Sequence, residues 1–231
     1  MNATTLLERG IFGFAIVGVV IGAIVSYIDQ DFFRNVYVVE DGFTEWGTVL
    51  ALGAAFVVCG YRLVTLWGGR PLRFMAMTSL LTVFCLFGAG EELSWGQRIF
   101  GFDSPEFFQD YNAQQETGLH NLTIEVDGKE YKLNRIIFGT GLAIAVFIYI
   151  VVMTPLYRRN PRFMQLVDSF AVPMPKLYQV LGYLFVISVA ELLIDSSKRG
   201  EITEFGGSIV FMLNVAFPYN AAIFSRRHTP N

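Results

Sequence analysis

The chain has 231 residues, 53% of them hydrophobic and 16% charged, with a formal net charge of −3. A soluble domain of this length has too little interior for so much apolar surface, and the near-neutral charge gives no footing for a nucleic-acid partner. The apolar residues come in long uncharged blocks, and a bilayer core requires roughly 20 apolar residues per helical span. The sequence therefore reads as an all-α polytopic membrane bundle, a single transmembrane domain over residues 1–231.

About six spans are predicted: 10–28, 45–66, 74–92, 135–156, 178–195 and 204–224. The first lies near the N-terminus, but its apolar stretch is of span length and no A-x-A-like site follows, so it is read as a retained helix. The second opens on Thr44-Glu45-Trp46-Gly47, with threonine as N-cap and glutamate in the first turn. Cys59 and Cys85 fall inside apolar blocks and read as buried free thiols. The third span ends on Glu91-Glu92. A long loop, 97–134, follows. Within it Ser104-Pro105-Glu106 predicts a short helix, about 105–113, lying at the interface through Phe107 and Phe108. Leu122–Val126, Asp127-Gly128 and Lys129–Leu133 predict a β-hairpin. Such a loop suits either a lid over a site or a plain solvent-facing cap. Pro155 is expected to close the fourth helix and Pro218 to kink the sixth. The sixth opens on Thr203-Glu204-Phe205-Gly206, echoing the second, so the two helix pairs could descend from a duplication.

Sorting charges by side supports the count. The side of the termini carries Arg9, Arg62, Arg70, Arg73, Arg158, Arg159, Arg162, Lys176, Arg226 and Arg227. Of the 20 acidic residues only Glu8 and Asp168 fall there. Short loops rich in Lys and Arg stay in the cytoplasm. Both termini are thus expected to be cytoplasmic, in a cell (inner) membrane, with the acidic face outward.

The acidic face holds the candidate site. Glu45 and Glu204 are each explained, taken alone, by a helix N-terminus. Glu91, Glu92, Glu191 and Asp195 lie at helix C-termini, where the dipole opposes negative charge. Ionisable groups at the hydrocarbon edge face the bundle interior, pair, or bind something. Glu191 and Asp195, four apart, share a face of one helix. Glu91, Trp95 and Arg98 would share one if the third helix ran on. Arg98, Lys198 and Arg199 are ready counter-ions, so rim ion pairs are the plain alternative. Glu116 and His120 are also four apart and, if helical, could ligate one metal. A lone histidine is more often a surface or hydrogen-bonded residue, and His228 lies in the tail. Crowded carboxylates must take up a proton, pair with a base or share a cation. This ligand set suits Ca, Mg or Mn, or a mixed Zn or Fe site. No P-loop, G-x-S-x-G or H-E-x-x-H motif is present.

Glu91-Glu-Leu-Ser-Trp-Gly-Gln-Arg98, followed by Glu116-x-x-Leu119-His120-Asn121, resembles the "EE-x-SWGQR … E-x-x-LHN" signature of a group of uncharacterised bacterial multi-pass membrane proteins. Glu40-Asp41-Gly42-x-x-Glu45-Trp46 is similar to their entry into an early helix. The likeness covers about a third of the chain and implies the membrane fold, not an activity. The acidic, aromatic helix entry Tyr37–Thr48 is similar to that of alkaline ceramidases, membrane hydrolases with zinc and calcium sites. This chain lacks their H-x-x-x-H pair and has one outward histidine, so their three-histidine zinc centre cannot be built.

Together these readings point to a membrane-embedded enzyme acting on a lipid or lipid-linked substrate at the outer face. A divalent metal ion bound by Glu45, Glu91, Glu92, Glu116, His120, Glu191, Asp195 and Glu204 would assist hydrolysis or transfer. Glu91 or Glu92 would be general base, His120 ligand or proton shuttle, and Arg98 the anchor of an anionic headgroup. The alternatives are a proton- or cation-coupled transporter and a non-catalytic scaffold, either as a homo-oligomer or with a membrane partner subunit.

Overall fold

The computed structural model describes residues 4–126, 129–132 and 139–225, with backbone alone for 124–126 and 129–132. The first helix, α1 (Leu6–Ile28), starts on a capping box. Thr5 Oγ1 accepts from the Glu8 amide at 3.1 Å, and Glu8 Oε1 accepts from the Thr5 amide at 3.0 Å. Two amides that the helix cannot satisfy are thereby met. There follow α2 (Phe43–Thr65), α3 (Leu72–Glu92) and the short α4 (Glu106–Tyr111). Next come α5 (Gly139–Arg159), α6 (Pro161–Ser169), α7 (Leu177–Leu193) and α8 (Arg199–Ala216). Strands β1 (Thr123–Val126) and β2 (Lys129–Lys132) pair antiparallel, with Thr123 opposite Lys132. Asp127-Gly128, Leu133, residues 135–138, Arg226, Arg227 and His228 lie outside the described residues.

Among the described residues, four helices, α1, α2, α3 and α5, are long and apolar enough to cross a membrane. This is the pattern of a membrane protein. The fifth apolar block forms a shorter helix, α7, of 17 residues. Cys59 and Cys85 are free and buried between α2 and α3.

Five boundaries differ from the sequence expectation. Pro155 does not close its helix, which runs on to Arg159. The backbone just before it, Ile148–Met153, widens to a π-turn, and Thr154 Oγ1 donates to the Tyr149 carbonyl at 2.8 Å. Proline gives no amide and its ring crowds the carbonyl four residues back; the wider turn makes room for it. Pro218 stands beyond the end of α8 at Ala216, so it follows the helix rather than kinking it. That helix also begins earlier, at Arg199, with Glu201 in its first turn. Thr203 is therefore interior, not a cap. The residue capping α2 is Gly42, not Thr44, and Pro105 rather than Ser104 precedes α4.

Helix α8 occupies the centre, packed on α1, α2 and α7. The Phe205 ring, fully buried, wedges between α1 and α2 where both carry glycine. A Cβ on Gly18 or Gly47 would stand 2.6 or 2.5 Å from that ring. Small residues at such crossings let membrane helices approach closely. The last carbonyls of α8, orphaned by the helix end, are met from two sides. Gln179 Nε2 donates to Leu213 O at 3.0 Å, and Arg62 Nη1 donates to Val215 O at 2.6 Å.

At the basic end, Glu8 is only 1% exposed and accepts from Lys176 Nζ at 2.7 Å and from Tyr178 Oη at 2.9 Å. This buried pair staples α1 to the start of α7. Removing one partner strands a charge, whereas replacing both is close to neutral. Lys176→Met is expected to cost about 3 kcal/mol in detergent melts, and Glu8→Leu with Lys176→Met to recover most of that loss.

Candidate functional site

Helix α3 stops at Glu92 because the next residues cannot continue it. Ser94 and Trp95 adopt φ of 47° and 54°, and Gly96 adopts 84°. Two successive non-glycine residues in the left-handed region are costly and persist only where surrounding contacts enforce them. The reversal folds Arg98 back so that its Nη2 donates to the Glu92 carbonyl at 2.7 Å. Glu91, Trp95 and Arg98 thus do not share one continuing helix. Trp95 nevertheless reaches Glu91 through the bend, its Nε1 donating to Oε1 at 2.7 Å.

Glu91 and Glu92 have opposite surroundings. Glu91 is 7% exposed and fully engaged. Its Oε2 accepts from the amides of Leu119 and His120 at 2.6 and 2.8 Å, clamping the long loop to the end of α3. Glu92 lies one helical step round, toward α8. Among the described residues its carboxylate makes no hydrogen bond or ion pair, and neither do those of Glu201 and Glu204. These three and Glu45 lie within electrostatic range of one another.

Arg98 is the clamp on the other wall. It pairs with Glu45 through Nη2, with Asp41 through Nη1 at 3.4 Å, and with Glu116 through Nε at 3.8 Å. Burial works against its charge, but Glu45, Glu116 and Asp41 outweigh it and push the guanidinium pKa above its ordinary value. Glu45 also accepts from the Asp41 amide at 2.8 Å, which closes the turn into α2. Glu116 accepts from Ser94 Oγ as well.

Glu116 and His120 do not lie on a helix. The chain from 113 to 121 is loop, with Gln115 at a φ of 59°. They still border the same cavity, of about 600 Å³. Its working walls are Glu92, Glu201, Glu204, Glu45, Arg98 and His120. Glu191 stands at the rim and pairs with Arg199 Nε at 3.0 Å, its side chain 51% exposed. Asp195 does not join. Helix α7 ends at Leu193, so Glu191 and Asp195 share no helix face. Buried Ile194, in extended conformation, turns the chain away. Glu201 is the member that sequence reading missed, because Lys198–Glu201 reads as a charged loop. Once α8 starts at Arg199, Glu201 and Glu204 fall three apart on one face.

Among the described residues, no three His, Cys, Asp or Glu side chains stand close enough to hold a metal ion as they are. Comparison with protein-family models, with curated proteins and with solved structures finds no match to this chain. The fold and site together define a membrane helix bundle with a carboxylate-lined cavity at one end.

Burial pushes the His120 pKa below its ordinary value, against the opposing pull of Glu91. The ring is therefore neutral at pH 7. The unfolded chain binds this proton first, so the stability held above about pH 6.5 is lost as pH falls toward the lower folded value. His120→Gln is expected to flatten that part of the melting-temperature profile between pH 7 and 5.

Proposed function

We propose that this protein is a membrane-embedded enzyme that acts on a lipid or lipid-linked substrate at the extracytoplasmic face, by cation-assisted hydrolysis or group transfer. The observation that carries the reading is the trio Glu92, Glu201 and Glu204, whose carboxylates make no hydrogen bond or ion pair among the described residues, around one cavity opposite the neutralised Glu45–Arg98 clamp. Unpaired carboxylates at a hydrocarbon edge are expensive and are retained where they work. Arg98 and Lys198 act on Glu92 and Glu201 only from beyond ion-pair distance, so a divalent cation would be the close counter-charge for this trio. Glu92 and Glu204 would be drawn onto it, with Glu201 completing the oxygen set. The cation would polarise the scissile group, Glu92 would take the proton from water, and neutral His120 would pass it on. Because one oxygen of Glu91 is held by Trp95 and the other by the loop amides, the base falls to Glu92.

The reading takes α7 and α8 as spans five and six, which leaves both termini in the cytoplasm of a bacterial inner membrane under the positive-inside rule. Lateral access fits this orientation. Residues 139–145 at the start of α5 are exposed all round, and Gly139 borders the cavity. An acyl chain has a way in between α5 and the bundle. A transport route has less support. Below Glu204, α8 presents Phe205, Ile209, Val210 and Leu213, all buried in the core.

The test is metal content after purification without chelator, for wild type and for Glu92→Gln with Glu204→Gln. About one divalent ion per wild-type chain, and less than a tenth of that in the variant, is expected. Equal, near-zero metal in both would remove the cation and leave carboxylate acid/base chemistry alone.

A further inference from the structure

The opposite, basic end carries a second feature that the proposed chemistry does not use. Along α3, Leu72, Arg73, Ala76, Met77 and Leu80 recur every three or four residues and form one stripe. Phe170, just after α6, stands across from them, and the two border an open groove of about 730 Å³. The groove is shallow, open and apolar along its length, with Leu72 and Leu80 85% and 61% exposed. Its single charge is Arg73, held over the Phe170 ring at 5.9 Å.

The charge at this end is unopposed. Its two acids are both consumed internally. Glu8 is tied to Lys176 and Tyr178. Asp168 accepts from Tyr157 Oη and Asn220 Nδ2, each at 2.8 Å. Among the described residues, Arg73, Arg159 and Arg162 have no carboxylate partner within ion-pair distance. Helix α6 is short and amphipathic, with Arg162 near its start and Met164, Leu166 and the following Phe170 exposed. Such a helix lies in the plane of the membrane surface, its apolar residues among the acyl chains. A basic group at headgroup depth above an apolar slot recognises a negatively charged headgroup and the chain below it.

We propose that this groove is a binding site for an anionic phospholipid of the leaflet facing the basic end. Arg73 holds the phosphate, and one acyl chain lies along Leu72, Ala76, Met77 and Leu80 against Phe170. The lipid joins α3 to α6, elements that otherwise meet at few points, so it braces the basic end independently of the acidic cavity.

The test uses the full chain in detergent micelles, with phosphatidylglycerol and phosphatidylcholine of matched acyl chains added separately. Bound lipid is read by native mass spectrometry. Wild type is expected to retain phosphatidylglycerol about fivefold better than phosphatidylcholine. Arg73→Gln is expected to remove that preference while leaving the melting temperature without added lipid unchanged. Ala76→Trp, which fills the slot at an exposed position, is expected to reduce retention of both lipids. Arg9→Gln, at the same end but away from the groove, is expected to behave as wild type. Equal retention of the two lipids by wild type, or an undiminished preference in Arg73→Gln, would overturn the site. So would displacement of the bound lipid by inorganic phosphate alone, since that would leave the apolar slot without a part.

Discussion

Glu92→Gln is expected to lower turnover by about 10²–10⁴-fold, the range over which a positioned general base acts. The amide keeps the shape and the cavity but cannot take a proton. Glu91→Gln acts differently. Its carboxylate oxygens accept from Trp95 Nε1 and from two loop amides. An amide retains one acceptor, so the loop loosens and the melting temperature falls. The pair of neighbouring glutamates thus separates chemistry from architecture. The assay is release of label from headgroup-labelled membrane lipids in mixed micelles containing Mg, Mn, Ca or Zn. Wild-type turnover in Glu92→Gln would exclude it as base. No turnover by wild type on any lipid class would favour the scaffold reading.

Arg98→Ala is expected to be the most destabilising single change at the site, by about 3–5 kcal/mol. Arg98 is the common partner of Glu45, Glu116 and Asp41, and it also donates to the Glu92 carbonyl at the reversal after α3. Its loss leaves Glu45 and Glu116 without their ion-pair partner beside Glu92, Glu201 and Glu204. Arg98→Lys retains the charge but not the fork that reaches several oxygens, so it is expected to recover only part of the loss. Thermal melts in detergent, at low salt where the pairs are least screened, separate the three proteins.

The transmembrane character was legible because long uncharged blocks leave little else to read. The acidic end was legible by sorting charge, and Glu45, Glu92, Glu204, Arg98 and His120 do border one cavity. What periodicity could not supply was the backbone between the helices. The left-handed Ser94-Trp95-Gly96 turn is set by what surrounds it, so a helix extended through Arg98 was the natural extrapolation. The loop holding Glu116 and His120 is shaped by Glu91, which accepts from its amides 28 and 29 residues away in the chain. The start of α8 was hidden for a different reason. Arg199, Glu201 and Glu204 make its first two turns polar, and a span search built on apolar residues begins only after them. Adjacent Glu91 and Glu92 could not be told apart before the neighbours of each helix face were known.

Carboxylates from distant parts of the chain share one nest. A double-mutant cycle on Glu92 and Glu204 tests it without knowledge of the substrate. Glu92→Gln, Glu204→Gln and the double variant are compared with metal-free wild type by thermal stability at pH 8. Each single change relieves the same penalty, whether repulsion between two charges or the uptake of a proton by one of them, so the double variant is expected to gain less than the sum, with a coupling of at least about 0.5 kcal/mol. Additive effects would mean that the two side chains do not meet, and would contradict the account.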